Sequence, residues 1–290
     1  MARPAVSSQG LRGRVIAVTG GARGIGRATA AAFLAAGAQV AIGDIDAELA
    51  DRTAAELSAH TGARIVGLPL DVTDPASFAG FLTAVEAELG PLDVLVNNAG
   101  IMPTGLFADE DPAMTARMVD ININGVLTGS RLAVERFRPR RSGHIVNVAS
   151  LAGVTVLPGL ATYCGTKRFV IGFTETLERE LRTEGVAVTM VLPGVVRTEL
   201  SAGTRLPKWL EGVSTVDPED VAAGIVAAVA KGRRRAVIPK SLGRLLGLLA
   251  ILPKSAQYVM LHALRLDIGA THVDPALRER YHRRLTGGAA

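Results

Sequence analysis

Apolar runs of four to seven residues recur along most of the chain, and longer Ala-rich or amphipathic stretches separate them. Runs that are apolar throughout fit strands buried on both faces, as in a parallel sheet. The stretches between them have the length and composition of helices. This alternation predicts an α/β fold with a doubly wound, about seven-stranded, mostly parallel sheet flanked by helices. The predicted strands span residues 14–19, 39–43, 64–70, 92–96, 143–149, 186–192 and 236–239.

The helix signals agree with this alternation. An Ala-rich stretch follows Gly26 and stops at Gly37, a residue suited to a helix C-terminus. Pro75 falls in the first turn of the next predicted helix, where a missing N–H is tolerated. We predict one continuous helix over residues 112–137 and another that runs to about Thr183. Right-handed crossovers would then gather the carboxyl ends of the strands at one edge, where ligands bind in such sheets.

The same pattern divides the chain into three parts. Residues 1–12 are predicted to be a flexible leader, residues 13–239 a single α/β domain, and residues 240–290 a leucine-rich, basic helical extension. The one cysteine, Cys164, excludes an intrachain disulfide and fits a reducing compartment. No apolar segment of a secretory signal precedes Arg14. We therefore expect a cytoplasmic location, with membrane association left open by the extension.

Charge is unevenly distributed, although the net value is only +5. Residues 231–290 contain 12 Lys/Arg and 3 Asp/Glu, whereas the rest of the chain is slightly acidic. A basic segment favours an anionic partner surface, or it is simply a solvated helical tail. Nucleic acid is not expected, because the basic residues alternate with leucines and form no known reading motif.

The extension contains an apolar run at residues 245–252 that Pro253 interrupts. Eight residues are too few to span a bilayer, which takes about 20. Cations flank the run, and this arrangement fits a peripheral membrane contact through residues 240–266. It fits equally a helix packed over a pocket or against another subunit, and the sequence leaves these readings open.

The first predicted strand leads directly into a glycine-rich turn, residues 19–26, with the sequence TGGARGIG. Such a turn lets a backbone approach a pyrophosphate, and the N–H groups of the following helix face the anion. The second strand ends at Asp44, where a carboxylate can bind the ribose hydroxyls of a dinucleotide. Asp44 favours NAD over NADP, whereas Arg23 could meet a 2′-phosphate. Asp44 could instead cap the next helix.

Tyr163 and Lys167 are four residues apart, so on a helix they lie on the same face. A neighbouring cation favours the phenolate, and we expect Lys167 to lower the pKa of Tyr163. A tyrosine tuned in this way can transfer a proton near neutral pH. Cys164 stands between them without a second cysteine or a basic motif, so we interpret it as a packed residue.

Together these motifs resemble the short-chain dehydrogenase/reductase family over residues 13–237. The shared features are the glycine turn, Asn-Asn-Ala-Gly at residues 97–100, Asn122, Ser150 thirteen residues before Tyr163, the Tyr-x-x-x-Lys pair, and Pro193-Gly194 followed by Thr198. The resemblance implies a single Rossmann-fold catalytic domain. It also implies hydride transfer between a nicotinamide cofactor and an alcohol or ketone, and a homodimer or homotetramer. We expect no metal site.

The resemblance assigns catalytic roles to four residues. Tyr163 is the general acid or base, Lys167 lowers its pKa and binds the nicotinamide ribose, Ser150 bonds the substrate oxygen, and Asn122 holds a water in a proton relay. Asp71 and Val72 would contact adenine, and Thr198 the carboxamide. The full set assigned to the cofactor is Gly20, Arg23, Gly24, Ile25, Gly26, Asp44, Asp71, Val72, Asn98, Ala99, Gly100, Tyr163, Lys167, Pro193, Gly194, Val196 and Thr198.

The loops after Gly100, Ser150 and Gly194 carry mainly apolar residues, and residues 199–216 resemble the family's lid. This pattern favours a hydrophobic secondary alcohol or ketone as substrate. Two alternatives remain open at this stage. One is an NADP(H)-dependent carbonyl reductase, and the other is a nucleotide-sensing relative without catalysis, although none of the catalytic residues is missing.

Overall fold

A computed structural model describes residues 8–201 and 215–249, together with residues 252, 253, 256, 259 and 281. Within these residues, seven parallel strands form one sheet in the order β3-β2-β1-β4-β5-β6-β9. The predicted doubly wound sheet is thus confirmed. The strands are β1 (Val15–Thr19), β2 (Gln39–Asp44), β3 (Ile65–Pro69), β4 (Val94–Asn97), β5 (His144–Val148), β6 (Ala187–Pro193), the short pair β7 (Val195–Val196) and β8 (Thr215–Val216), and β9 (Arg235–Ile238).

Helices connect the strands and cover both faces of the sheet. They are α1 (Gly24–Ala35), α2 (Ala47–Thr61), α3 (Pro75–Leu89), α4 (Pro112–Val119), α5 (Gly125–Arg140), α6 (Ala161–Leu181), α7 (Pro218–Ala230) and α8 (Lys240–Leu249). Short 3-10 turns occur at Ser8–Leu11, Phe107–Asp109, Leu151–Gly153 and Glu199–Ser201.

The two faces of the sheet pack against separate apolar clusters. Side chains alternate along β1, so Ile16 packs with Phe33 of α1 and Ile225 of α7, whereas Ala17 packs on the opposite face with Phe78 of α3 and Phe137 of α5. Strand β1 is therefore covered on both faces of the sheet, and its residues are buried. The continuous apolar runs in the sequence therefore have a direct physical cause.

The long helix predicted over residues 112–137 is present, but it contains a π turn that was not predicted. A π turn at Asp120–Asn124 separates α4 from α5, and α5 extends to Arg140. The wider turn shifts the register of the side chains, and Asn122 within it is 0% exposed. The helical stretch was predictable from the sequence but the π turn was not, because the turn is held by contacts with distant residues.

The folded body begins before the boundary predicted at Gly13, since Leu11 is 1% exposed and packs in the core. Both ends of the predicted lid are anchored, because β7 pairs with β8 and Arg197 forms an ion pair with Asp217 at 2.7 Å. Residues 202–214 of that lid, and most of residues 250–290, lie outside the described part. Among the described residues, no helix has the length and hydropathy needed to cross a membrane.

Candidate active site

The order of the strands gathers residues that are far apart in the sequence. β1, β4, β5 and β6 are neighbours and run in the same direction, so their carboxyl ends meet at one edge. Thr19, Asn97, Ser150 and Pro193 lie at or just beyond these ends. The candidate residues therefore converge at the edge that the strand pattern indicated.

The glycine turn at this edge is shaped for close backbone approach. Gly20 and Gly24 have φ of 62° and 54°, values that residues other than glycine rarely adopt. A Cβ on Gly26 would stand 2.1 Å from the carbonyl oxygen of Gly20. Arg23 precedes α1 and makes no side-chain cap among the described residues, whereas Asp46, Asp74 and Asp111 cap α2, α3 and α4. The first N–H groups of α1 thus remain available for an anion.

Two polar side chains fix the turn against β4. The hydroxyl oxygen of Thr19 accepts hydrogen bonds from the backbone N–H groups of Asn98 and Ala99, both at 3.0 Å. The amide nitrogen of Asn98 donates to the carbonyl oxygens of Thr19 and Gly20 at 2.9 and 3.1 Å. Asn98 therefore positions the glycine turn, in addition to lying at the predicted cofactor floor.

Acidic groups surround the end of β2. The carboxylate of Asp44 accepts from the backbone N–H of Ala22 at 3.1 Å. Asp46, and not Asp44, caps α2, so the alternative reading of Asp44 as that cap is wrong. Arg23 pairs with Asp46 at 2.9 Å and with Glu199 at 3.7 Å. The arginine that could have met a 2′-phosphate is thus held by two carboxylates.

The two residues predicted to contact adenine lie at the turn after β3. The carboxylate of Asp71 accepts hydrogen bonds from the backbone N–H and the hydroxyl of Thr73, at 2.9 and 2.7 Å. Val72 is buried, and a Cβ on Gly125 would stand 3.1 Å from its side chain. Asp71 shapes the turn and Val72 packs against the start of α5, and their contact with adenine stays a prediction.

Ser150, Tyr163 and Lys167 are buried together beside β5. Ser150 lies beside Tyr163, and its side chain acts to lower the pKa of the phenol. The ammonium of Lys167 donates to the carbonyl oxygen of Val148 at 3.0 Å and lies 5.7 Å from the centre of the Tyr163 ring. The serine, the phenol and the cation therefore form one polar cluster in an otherwise apolar environment.

Burial dominates the protonation of this cluster. It raises the pKa of Tyr163 well above the ordinary value of 10.0, and the side chain of Ser150 opposes the rise only in part. Burial also lowers the pKa of Lys167 to about 8. The expected net direction for Tyr163 is therefore wrong: its pKa is raised and not lowered, because the expectation weighed the charge pair and left out the desolvation of both groups.

Asn122 organises the backbone between the cofactor edge and Tyr163. Its side-chain oxygen accepts from the N–H of Ile101 at 2.9 Å, and its amide nitrogen donates to the Ile101 carbonyl oxygen at 3.0 Å and to the Thr166 hydroxyl at 3.2 Å. A Cβ on Gly100 would stand 3.1 Å from Asn122 Oδ1 and 3.5 Å from Lys167 Nζ. Glycine at this position leaves the space above both groups open.

The loop after β6 returns to the glycine turn. The backbone N–H of Gly194 donates to the carbonyl oxygen of Ile238 at 2.7 Å, and Val196 is buried in the core. The side chain of Thr198 lies 3.4 Å from the position that a Cβ on Gly24 would take. The segment with Pro193 and Thr198 therefore returns to the start of α1.

A cavity of about 240 Å³ opens next to Tyr163. Pro103 and Leu160 line it, as the sequence predicted, and Met114 and Met118 of α4 add apolar wall that was not predicted. The same cavity is also lined by the consecutive acidic residues 109–111, which were not predicted to be site residues. Leu106 and Val156, both assigned to the apolar loops, are 54% exposed. The wall is therefore mixed, with an apolar interior and a carboxylate-rich side.

The sequence profile described as short chain dehydrogenase matches residues 14–208. The chain belongs to the short-chain dehydrogenase/reductase family. It is 40% identical over 199 residues to 2-(S)-hydroxypropyl-CoM dehydrogenase 3 of Xanthobacter autotrophicus, covering 69% of this chain and 77% of the relative. It is 36% identical over 261 residues to a Mycobacterium tuberculosis protein named "Probable oxidoreductase EphD", covering 83% of this chain.

This short-chain dehydrogenase/reductase spans 43% of the length of the EphD protein. Its fold resembles a solved short-chain dehydrogenase/reductase from Burkholderia phymatum in complex with NAD, with a TM-score of 0.75 and 25% identity. That alignment covers 83% of this chain and 94% of the other. The family, the fold and the motif positions therefore agree with one another.

Three further residues near the site were not identified from the sequence. Thr19 belonged to the recognised glycine motif, so its role in holding Asn98 could have been inferred from the motif. Thr166 links Asn122 to the Tyr163 carbonyl oxygen, to which its hydroxyl donates at 2.8 Å. Tyr281 is buried beside Tyr163, far along the C-terminal extension. Nothing in the local sequence around Tyr281 indicated this placement.

Proposed function

We propose that the protein transfers a hydride between NAD(H) and the carbinol or carbonyl carbon of an uncharged, largely apolar secondary alcohol or ketone. The observation that carries the proposal is the burial of Ser150, Tyr163 and Lys167 in one polar cluster beside a cavity at the carboxyl edge of the sheet. The name of the Xanthobacter autotrophicus relative describes a 2-hydroxypropyl group, in which the hydroxyl is on a secondary carbon. This name supports a secondary alcohol as the substrate, and it does not bear on the absence of charge.

The residues at the edge fit a dinucleotide. The uncapped start of α1 and the glycine turn suit a pyrophosphate, Asp44 suits a ribose, and the open space over Gly100 lies beside Lys167. When bound, the nicotinamide supplies or accepts the hydride. Arg23, Ile25, Asn98, Ala99, Pro193, Gly194, Val196 and Thr198 complete the proposed cofactor set.

Tyr163 handles the proton in this proposal. Its raised pKa keeps the phenol protonated at neutral pH, which suits a general acid that protonates the oxygen formed by ketone reduction. Ser150, which lies beside the phenol, would donate to the same substrate oxygen. Alcohol oxidation requires Tyr163 to act as the base, and the positive charge of Lys167 is the group in this cluster that favours its deprotonation.

The preference for NAD over NADP rests on the acidic surroundings of β2. A 2′-phosphate would approach Asp44, Asp46 and Glu199, while Arg23 is already paired with the last two. The local balance is therefore negative, and a phosphate dianion would be repelled. If Arg23 were released from both partners, the NADP(H)-dependent alternative would gain support.

The choice of an uncharged substrate rests on the mixed wall of the cavity. Methionines and Leu160 suit an apolar body. Asp109 and Asp111 are exposed at the acidic side and would disfavour an anionic substrate. We therefore narrow the hydrophobic substrate expected from the sequence to one without negative charge.

Contacts with other surfaces form a separate part of the proposal. Phe169 on α6 is 39% exposed and stacks on Phe173 with ring centres 6.1 Å apart, which supports a homodimer or homotetramer. Leu245 on α8 is exposed close to Lys240 and Arg244. This arrangement supports peripheral contact of residues 240–266 with an anionic membrane surface.

The test is a screen of secondary alcohols and the matching ketones with NAD(H) and NADP(H), followed by the absorbance of the reduced cofactor. We expect turnover with NAD(H), and a higher kcat/KM for ethyl 3-hydroxybutyrate than for the 3-hydroxybutyrate anion. Tight NADH binding without turnover of any compound would instead support the nucleotide-sensing alternative. Preference for the anion would contradict the role given to the acidic side of the cavity.

A further inference from the structure

The C-terminal extension contributes one buried side chain to the neighbourhood of Tyr163. We infer that Tyr281 forms a wall of the substrate pocket and holds the Ile101–Met102 backbone that borders it. The inference rests on the proposed function, because the pocket is the one in which that reaction would occur. It makes Tyr281 a specificity-determining residue that is distant in sequence from every motif of the family.

The packing of Tyr281 places it within the site. Its side chain is 5% exposed, and it belongs to the same apolar cluster as Met102, Met118, Leu160 and Tyr163. The two phenols are close enough that ionisation of one opposes ionisation of the other. A buried tyrosine ring contributes a large rigid surface, on the order of 150–250 Å². The ring of Tyr281 therefore packs in the apolar cluster that also contains Tyr163 and two residues of the cavity wall, Met118 and Leu160.

A hydrogen bond fixes the position of Tyr281 relative to the pocket. The backbone N–H of Met102 donates to the Tyr281 hydroxyl oxygen at 2.9 Å, and both groups are buried. The preceding residue, Ile101, is held by Asn122 through both its N–H and its carbonyl oxygen. The two residues after Gly100 are thus fixed from two sides, by the π turn and by the C-terminal segment.

This arrangement gives the hydroxyl and the ring of Tyr281 separate tasks. The hydroxyl sets the position of the backbone that joins the cofactor edge to the cavity, and the ring limits the space beside Tyr163. An aromatic wall discriminates between substrates by the size of the group that must fit against it. Removing the hydroxyl and removing the ring should therefore have different consequences.

The first experiment measures hydrogen exchange of the Ile101–Met102 amides in the full chain. Tyr281→Phe keeps the ring but removes the acceptor, so we expect the Met102 amide to exchange at least about tenfold faster. Val259→Ala is the control, because Val259 belongs to the same extension and is 70% exposed. It should leave this exchange unchanged. An unchanged exchange rate in Tyr281→Phe overturns the hydrogen-bonding role.

The second experiment measures selectivity in Tyr281→Ala. We expect kcat/KM for 1-phenylethanol, relative to that for 2-propanol, to rise by about tenfold because the ring no longer limits the pocket. Thermal unfolding and NADH binding are measured on the same preparation to establish that the variant is folded. A ratio within twofold of the wild type in a folded variant overturns the wall role.

Failure of the proposed function is distinguishable from failure of this inference. If the wild type turns over no alcohol or ketone, the proposed function fails, and the wall role in that reaction fails with it. The contact of Tyr281 with Met102 is then judged by hydrogen exchange alone. If the wild type is active and both variants match it, the proposed function stands and the assignment of Tyr281 is wrong.

Discussion

The cofactor edge and the substrate pocket of this protein are built in different ways. The cofactor edge consists of short segments at strand ends, fixed by backbone groups, glycines and the Thr19–Asn98 hydrogen bonds. The pocket combines side chains from the loop after β4, helix α4 and the start of α6. The cofactor edge is thus defined mainly by backbone geometry at the strand ends. The pocket is defined by side chains that separate segments of the chain bring together.

Solvation also separates the two regions. At the cofactor edge, helix α1 keeps its first N–H groups without a side-chain cap, and Arg23 and Asp44 are only partly buried. Around Tyr163 the surroundings are apolar, and burial shifts the pKa of both Tyr163 and Lys167 toward their neutral forms. The cofactor edge is arranged to bind charge, whereas the buried cluster of Tyr163 and Lys167 disfavours it.

The largest expected effect tests the pocket. Tyr163→Phe removes the proton donor but keeps the ring, so we expect kcat to fall at least about a thousandfold while NADH affinity changes less than threefold. Steady-state kinetics and NADH fluorescence titration measure the two quantities. If turnover persisted at the wild-type rate, Tyr163 would not be the proton-transfer residue. If activity and NADH binding were lost equally, Tyr163 would serve cofactor binding as well as proton transfer, and the two regions would not be functionally separate.

A glycine pair tests the cofactor edge. Gly26→Ala places a methyl group 2.1 Å from the Gly20 carbonyl oxygen, so we expect a loss of about 1–3 kcal/mol in unfolding free energy and weaker NADH binding. Gly80→Ala in α3 is the matched control, because among the described residues no heavy atom lies within 4 Å of the added methyl group. It should be stabilising by about 0.5–1 kcal/mol. Urea unfolding measures both, and similar losses in the two variants would contradict the crowding at Gly26.

The pH dependence of stability tests the burial of Lys167. Its pKa is about 8 in the folded protein against 10.5 for an unburied lysine, so above pH 8 the unfolded chain binds more protons than the native one. The stability of the cofactor-free wild type, relative to Lys167→Met, should therefore rise between pH 8 and pH 10. The slope can reach about 1.4 kcal/mol per pH unit. Parallel pH profiles from urea unfolding would show that Lys167 is not desolvated.

The smallest effect concerns cofactor choice. Asp44→Ala removes one negative charge at the end of β2, so we expect the ratio of kcat/KM for NADP to that for NAD to rise by about tenfold. Asp51→Ala, an exposed position on α2, controls for a general change in surface charge. The ratio should stay constant in that variant. If both variants behaved alike, the preference would not depend on the position of Asp44.

How well the sequence predicts the structure also differs between the cofactor edge and the pocket. The strands and the glycine turn were predictable, because buried parallel strands and positive-φ turns impose strict local requirements. The π turn at Asp120–Asn124 was not, since it is held by Asn122 contacts with Ile101 and Thr166. The direction of the Tyr163 pKa was wrong, because helical spacing reports the nearby cation but not the apolar surroundings.

The sequence by itself determined the α/β fold, the family and the positions of the polar residues at the strand ends, because periodicity and motif spacing are properties of neighbouring residues. Only the tertiary structure decided what surrounds those residues. It gave Arg23 two carboxylate partners, added an acidic side to the pocket and placed Tyr281 against Met102. Burial, ion pairing and pocket shape depend on contacts between distant segments, and no local pattern in the chain encodes them.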